Sequence, residues 1–138
     1  MAAVRVERTA DGGFRATNDR GATVDITASD DKERFTPVEL LLAALGGCEI
    51  VTVEPLTAQR GHRLVTLATT VQAEKVERNK LGPVTIDYDV ELPEGDDKAA
   101  DVFAAVAKRV HDRYCTVGRS LQEGTSVEQV LPDLDRTG

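Results

Sequence analysis

The sequence predicts an α+β fold in a single domain spanning residues 1–138. Three observations predict it. Apolar and polar residues alternate in several short runs, which is the period of half-buried strands. Val38 to Val53 is a near-continuous apolar run with only Glu39, Glu49 and Thr52 clearly polar, which reads as a buried helix. A third kind of stretch, near residues 96–114, carries apolar residues at helical spacing. Two rounds of strands followed by a helix result, in a chain long enough to bury about two-thirds of the surface its unfolded form would expose.

Val4 to Thr9, VRVERT, puts Val4 and Val6 on one face of a strand and Arg5 away from it. Asp11-Gly12-Gly13 signals a tight turn. Phe14 to Asn18 and Ala22 to Thr27, joined through Asp19-Arg20-Gly21, complete a three-strand meander. Ser29 to Glu33 reads as a charged loop.

The central helix has a written start and stop. Thr36 can cap the free N–H groups, Pro37 suits the first helical position, and Glu39, three residues after the cap, makes a capping box. Arg60 and Gly61 supply the stop, with Gly61 as the left-handed residue. An all-round apolar helix calls for burial inside the molecule or its oligomer. Gly46-Gly47 costs roughly 1 kcal/mol per residue relative to alanine, and Pro55 takes a partner from the Val51 carbonyl. Close approach of another helix explains the glycines; room for a small molecule beside Cys48 is a compatible reading.

Leu64 to Val76 alternates and is rich in valine and threonine. Asn79 to Pro83 breaks it, and Val84 to Leu92 alternates cleanly with Val84, Ile86, Tyr88 and Val90 on one face, which makes a second hairpin. A second helix runs from Asp96 or Asp97 to about Tyr114. Val102, Phe103, Val106 and Val110 form its apolar face, with acids crowding its start and Lys108, Arg109 and Arg113 its end. Thr116 to Gln122 reads as further helical turns before Gly124, Ser126 to Leu131 as a final strand, and the last residues as a frayed end.

A net charge of −7, with 4% aromatic residues and no basic run, argues against nucleic acid and anionic membrane surfaces as partners. The apolar run of the central helix reads as too short to span a bilayer, and MAAVRVERTADGG has no basic region followed by an apolar one. A cytoplasmic protein is the expectation. In that compartment the two cysteines, Cys48 and Cys115, are either buried and inert or redox-active.

The run Pro37-x-Glu39-Leu40-Leu41-Leu42-Ala43-Ala44-Leu45-Gly46-Gly47-Cys48, followed by Tyr114-Cys115-x-Val117 and Leu121, resembles the OsmC/Ohr family, the osmotically inducible protein C and organic hydroperoxide resistance proteins. The order of elements fits as well. The resemblance implies an intertwined homodimer, with two antiparallel sheet portions around two central helices and an active site at the subunit interface. It further implies a peroxiredoxin-like organic hydroperoxide reductase. Cys48 would be the peroxidatic thiol that becomes a sulfenic acid, Cys115 the resolving thiol that condenses with it, and an external dithiol, often a lipoyl group on a protein, the reductant. No resident cofactor or metal is implied. Thiolate is the nucleophile in such chemistry, and a neighbouring thiol protects the sulfenic acid from over-oxidation. An apolar wall that includes Leu41 and Leu45 suits an alkyl hydroperoxide.

One departure from the family pattern stands out. The characterised peroxidases place a glutamate directly after the motif proline, paired with an activating arginine; here that position is Val38, and the acid comes one residue later. A one-residue step turns a helical side chain by about 100°, so Glu39 reads as a cap more than as a catalytic carboxylate, although it stays among the supporting candidates. Cys48 lies three turns into its helix, where the dipole has little effect, so a cation must come from elsewhere. Arg34 is the first candidate and Arg20 the second, with a solvated surface charge as the bland alternative for both. His111, one turn before Cys115, could join the thiols around a metal, but the spacing of recognised zinc sites is missing. His62 reads as solvated, Tyr114 as core and Arg119 as a surface ion pair.

Two functions follow. The first is a two-cysteine peroxidase for hydrophobic hydroperoxides in oxidative stress defence. The alternative is a dimer of the same fold that binds a small apolar or thiol ligand without turnover.

Overall fold

The computed structural model describes residues 2–28 and 31–134. Its longest element is α1, Pro37–Gln59. The capping box at its start is present in both directions: Glu39 N–H donates to Thr36 Oγ1 at 3.2 Å, and Thr36 N–H donates to Glu39 Oε1 at 2.8 Å. Gly61 ends the helix at φ 86°, in the left-handed region that glycine takes without steric cost.

Two antiparallel sheets flank this helix in sequence. Strands β1 (Val4–Arg8), β2 (Phe14–Asn18) and β3 (Thr23–Ile26) form the meander in the order β1-β2-β3. Val6 opposes Ala16, which opposes Val24, and Phe14 opposes Ile26, so one face of the sheet is apolar. Strands β4 (Thr66–Glu77) and β5 (Lys80–Glu91) form a long hairpin. The predicted break at 79–83 is narrower than the sequence suggests. Only Arg78-Asn79 turn, and Gly82-Pro83 enter β5 where the register shifts between Ala73 and Glu77, an irregularity that tolerates a residue without an N–H. Val84, Ile86, Tyr88 and Val90 share the half-buried face, as the alternation predicts.

The second helix differs from its prediction at both ends. It begins at Ala99, because Asp96 first makes a turn in which its carboxylate accepts the Lys98 N–H at 3.2 Å. The α-helix α2 stops at Arg109, and Val110–Tyr114 continue as a π-helical turn closed by Cys115 N–H to Val110 O at 2.8 Å. Such turns recur at functional sites. Helix α3, Thr116–Glu123, follows and ends at Gly124. Residues 125–134 have no regular structure, so the expected strand at 126–131 is absent: among the described residues it pairs with neither sheet. Of the expected charged loop, residues 29 and 30 lie outside the described residues, as do 135–138 of the expected frayed end.

The core joins α1, α2, the π turn and the hairpin. Leu45, Val53, Val106, Val110 and Cys115 are buried together, with Val71, Val84, Ile86, Tyr88 and Phe103 packed on them. Burying each such aliphatic side chain contributes about 1.5–3 kcal/mol. Tyr88 and Phe103 meet edge to face at 5.4 Å. Gly46 answers a strand here and not a helix: a Cβ there would lie 2.8 Å from both Thr69 Oγ1 and Val71 Cγ2 of β4. Gly47 has open space beside it.

Within the chain α1 is buried on one side only. Leu45, Gly46, Glu49, Val53 and Thr57 face inward, while Val38, Leu41 and Val51 are exposed, Val51 at 70%. At 23 residues and a mean hydropathy of 1.5, α1 is long and apolar enough to cross a membrane, contrary to the sequence expectation, which stopped the apolar run at Val53. Its inward face carries a hydrogen-bonded glutamate packed against the hairpin and the π turn, as suits the core helix of this fold.

Candidate functional site

The two cysteines arrive from opposite directions. Cys48 sits midway along α1, half-buried and packed on the core. Cys115 stands where the π turn ends and α3 begins. Its extended backbone, φ −75° and ψ 97°, makes it the cap of α3, and its Sγ accepts the Gly118 N–H at 3.3 Å. The extra residue of the π turn delivers this thiol to the core, where it is fully buried beside Cys48. Both thiols are free.

Cys115 is held protonated. Burial pushes its thiol up to about 11, against the pull of the Gly118 N–H, and the neighbouring Cys48 and Glu49 push the same way as burial. Gly118 is required at this contact, since a Cβ would meet Cys115 Sγ at 3.1 Å and Leu45 Cδ1 at 3.3 Å. A cavity of about 310 Å³ opens just beyond it, lined by Leu45, Val84, Ile86, His111, Gly118, Leu121 and Gln122. Leu45 therefore supplies an apolar wall as expected, whereas Leu41, one turn earlier on α1, is exposed and does not line this cavity.

Beside the thiols lies a polar network that the motif reading did not assemble. Glu49, the residue after Cys48, is 1% exposed. Tyr88 OH donates to its Oε1 at 2.7 Å, and His111 Nδ1 lies 2.7 Å from its Oε2. Burial, then the Glu49 hydrogen bond, raises the Tyr88 hydroxyl well above its ordinary range, so it stays a donor. Two signals were available in the sequence: a carboxylate inside an apolar helix, which must find partners, and a tyrosine on the inward face of β5.

The other candidates are dispersed. Arg34 pairs with Asp11 at 3.0 Å and Asp31 at 3.7 Å, and its guanidinium packs against Gly13, so within the chain it serves the meander and not Cys48. Glu39 is engaged in the capping box. Arg20 lies exposed in the β2–β3 turn. Arg119 pairs with Glu123 at 3.5 Å on the surface. His62 is not solvated: Asp96 meets its Nδ1 at 2.5 Å, in a pair that ties the end of α1 to the start of α2. Tyr114 is not core but 47% exposed, because the π turn rotates it outward.

A model of the family described as OsmC-like protein matches residues 28–130. Uncharacterized proteins of Mycobacterium tuberculosis and Mycobacterium bovis are each 31% identical over 137 residues, covering 97% of this chain and 98% of theirs. Among solved structures, an OsmC-like protein from Mycoplasma pneumoniae aligns with TM-score 0.68 at 17% identity, over 91% of this chain and 89% of that one. An organic hydroperoxide resistance protein of Bacillus subtilis aligns with TM-score 0.58 at 17% identity, over 90% and 92%. At these identities the structures speak for the shared fold.

Proposed function

The chain belongs to the OsmC-like protein family, and we propose that it reduces hydrophobic organic hydroperoxides through Cys48 and Cys115. The observation that carries this reading is the meeting of two free thiols from separate helices beside an apolar cavity. Cys48, the more accessible thiol, attacks the peroxide oxygen; the O–O bond breaks, the alcohol leaves with a proton, and a sulfenic acid stays on sulfur. Cys115 then forms the disulfide and releases water, and an external dithiol reduces it. Turnover of cumene hydroperoxide with a dithiol reductant, lost in Cys48→Ser and present in the parent, is the required result; full activity in that variant excludes the proposal.

The working unit is a homodimer in the cytoplasm. The exposed Val38, Leu41 and Val51 of α1, together with the uncovered Val4, Val6, Phe14 and Val24 of the meander, are the apolar faces a second copy would cover. Sedimentation should give twice the 14.9 kDa chain mass at micromolar concentration.

A second reading has its own support. Val38 occupies the position of the family's catalytic glutamate, and Arg34 is engaged with Asp11 and Asp31. These favour a dimer that binds a small apolar or thiol ligand without turnover. Stoichiometric ligand binding that survives Cys48→Ser, in a parent that turns over no peroxide, would select it.

A further inference from the structure

A buried carboxylate is an expensive residue to place in an apolar helix. An apolar side chain of similar size would pack there without desolvating a charge. Glu49 is nevertheless the most deeply placed acid of α1, held by Tyr88 on one oxygen and His111 on the other. The His111 side chain is 45% exposed and forms part of the wall of the 310 Å³ cavity that ends at Gly118, against Cys115. The result is a hydrogen-bonded acid–imidazole pair whose carboxylate lies close enough to Cys115 to act on it and whose imidazole reaches the cavity wall.

We propose that His111 accepts the proton of Cys115 during disulfide formation and that Glu49 is the positioning residue that orients its imidazole. This rests on the peroxidase reading above. In that step the Cys115 sulfur bonds to the Cys48 sulfur, the sulfenic S–O bond breaks, the sulfenic sulfur is reduced and the thiol sulfur oxidised. The Cys115 proton must leave as the S–S bond forms, and the departing hydroxide must gain one to become water. With Nδ1–H directed at Glu49, the Nε2 of His111 is the free proton-accepting position, and the carboxylate stabilises the imidazolium that results. The need is set by the environment: burial, Cys48 and Glu49 all favour the protonated thiol, so ionisation of Cys115 at neutral pH requires an acceptor. The groups facing the pair are Cys48 and Cys115, Tyr88 from β5, and Asp112 beside His111, itself bound to Lys108 at 2.7 Å.

The test follows the two chemical steps separately in the reduced full-length protein. One equivalent of cumene hydroperoxide is added, samples are quenched in acid with a thiol-blocking reagent, and mass spectrometry counts thiol, sulfenic acid and disulfide. In His111→Gln and Glu49→Gln, sulfenic acid should still form and should persist longer than in the parent. Disulfide formation should slow by about a hundredfold, Cys48 sulfinic acid should accumulate under excess peroxide, and the pH dependence of the second step should change in His111→Gln. His111 is half-exposed, so its variant tests the pair even if Glu49→Gln fails to fold. Parent-rate disulfide formation in His111→Gln with an unchanged pH profile overturns the inference. Faster disulfide formation in Glu49→Gln also overturns it, since the carboxylate would then only be opposing ionisation of Cys115. A parent that forms neither sulfenic acid nor disulfide overturns the peroxidase reading itself, and the pairing with it.

Discussion

Adjacent glycines in α1 should respond oppositely to the same substitution. Alanine at either position gains about 1 kcal/mol of helix propensity. At Gly47 the new Cβ meets nothing within 4 Å, so Gly47→Ala should stabilise by about that amount. At Gly46 the Cβ would fall 2.8 Å from Thr69 Oγ1 and 2.8 Å from Val71 Cγ2. Both neighbours are short, β-branched and fixed in β4 opposite Tyr88 and Ile86, so they cannot swing aside and the helix must lift from the strand. Overpacking of this kind costs about 1–3 kcal/mol, which leaves Gly46→Ala a net loss of about 1 kcal/mol. The gap of about 2 kcal/mol corresponds to roughly 6–10 °C in melting temperature for a domain of this size. Thermal and urea unfolding of the two variants and the parent would measure it. Gly46→Ala as stable as Gly47→Ala would refute the close helix–strand approach on which the placement of Cys48 depends.

Thr36→Ala should cost about 1 kcal/mol in urea unfolding by removing the cap of α1, while leaving the rate of Cys48 oxidation at its parent value; a large loss of peroxide reactivity would contradict a purely structural capping box. Iodoacetamide at neutral pH should label Cys48 and spare Cys115, which is fully buried and held protonated; equal labelling would show that the thiol is open. The Cys115 thiol lies at about 11 in the folded chain against about 8.5 unfolded. Its contribution is therefore present below the unfolded value and lost as pH rises through about 11, so Cys115→Ala should flatten alkaline destabilisation of the reduced protein. Asp11 shows the opposite sign. The Thr9 hydroxyl first, then the Gly13 N–H and Arg34, hold it down to about 2, so its contribution is present above about pH 4 and lost as pH falls through about 2. Asp11→Asn should lower stability at neutral pH and converge with the parent below pH 2, as acid titration followed by circular dichroism would show.

The fold was legible where local chemistry was self-sufficient. Thr36, Pro37, Glu39 and Gly61 carry both ends of α1 in their own capping preferences, and the alternation in Val84–Leu92 assigns its inward face. What stayed hidden was set by tertiary contacts. The π turn at Val110–Tyr114 has no local signature, because its residues would suit an α-helix equally well; only the delivery of Cys115 to the core distinguishes them. It is that turn which sends Tyr114 outward. The partners of Glu49 are 39 and 62 residues away, beyond any periodicity, although its position inside an apolar run marked it as a residue needing partners. The expected strand at 126–131 has the pattern of one but pairs with no sheet edge among the described residues, and Val127 and Val130 remain exposed.

The most direct measurement is a count of free thiols by mass spectrometry after one equivalent of cumene hydroperoxide, with hydrogen peroxide alongside. Rapid loss of both thiols to a Cys48–Cys115 disulfide, faster with the organic peroxide, is the predicted result. Two thiols that persist, or that oxidise slowly without becoming linked, would contradict the two-cysteine mechanism and leave the fold serving a ligand.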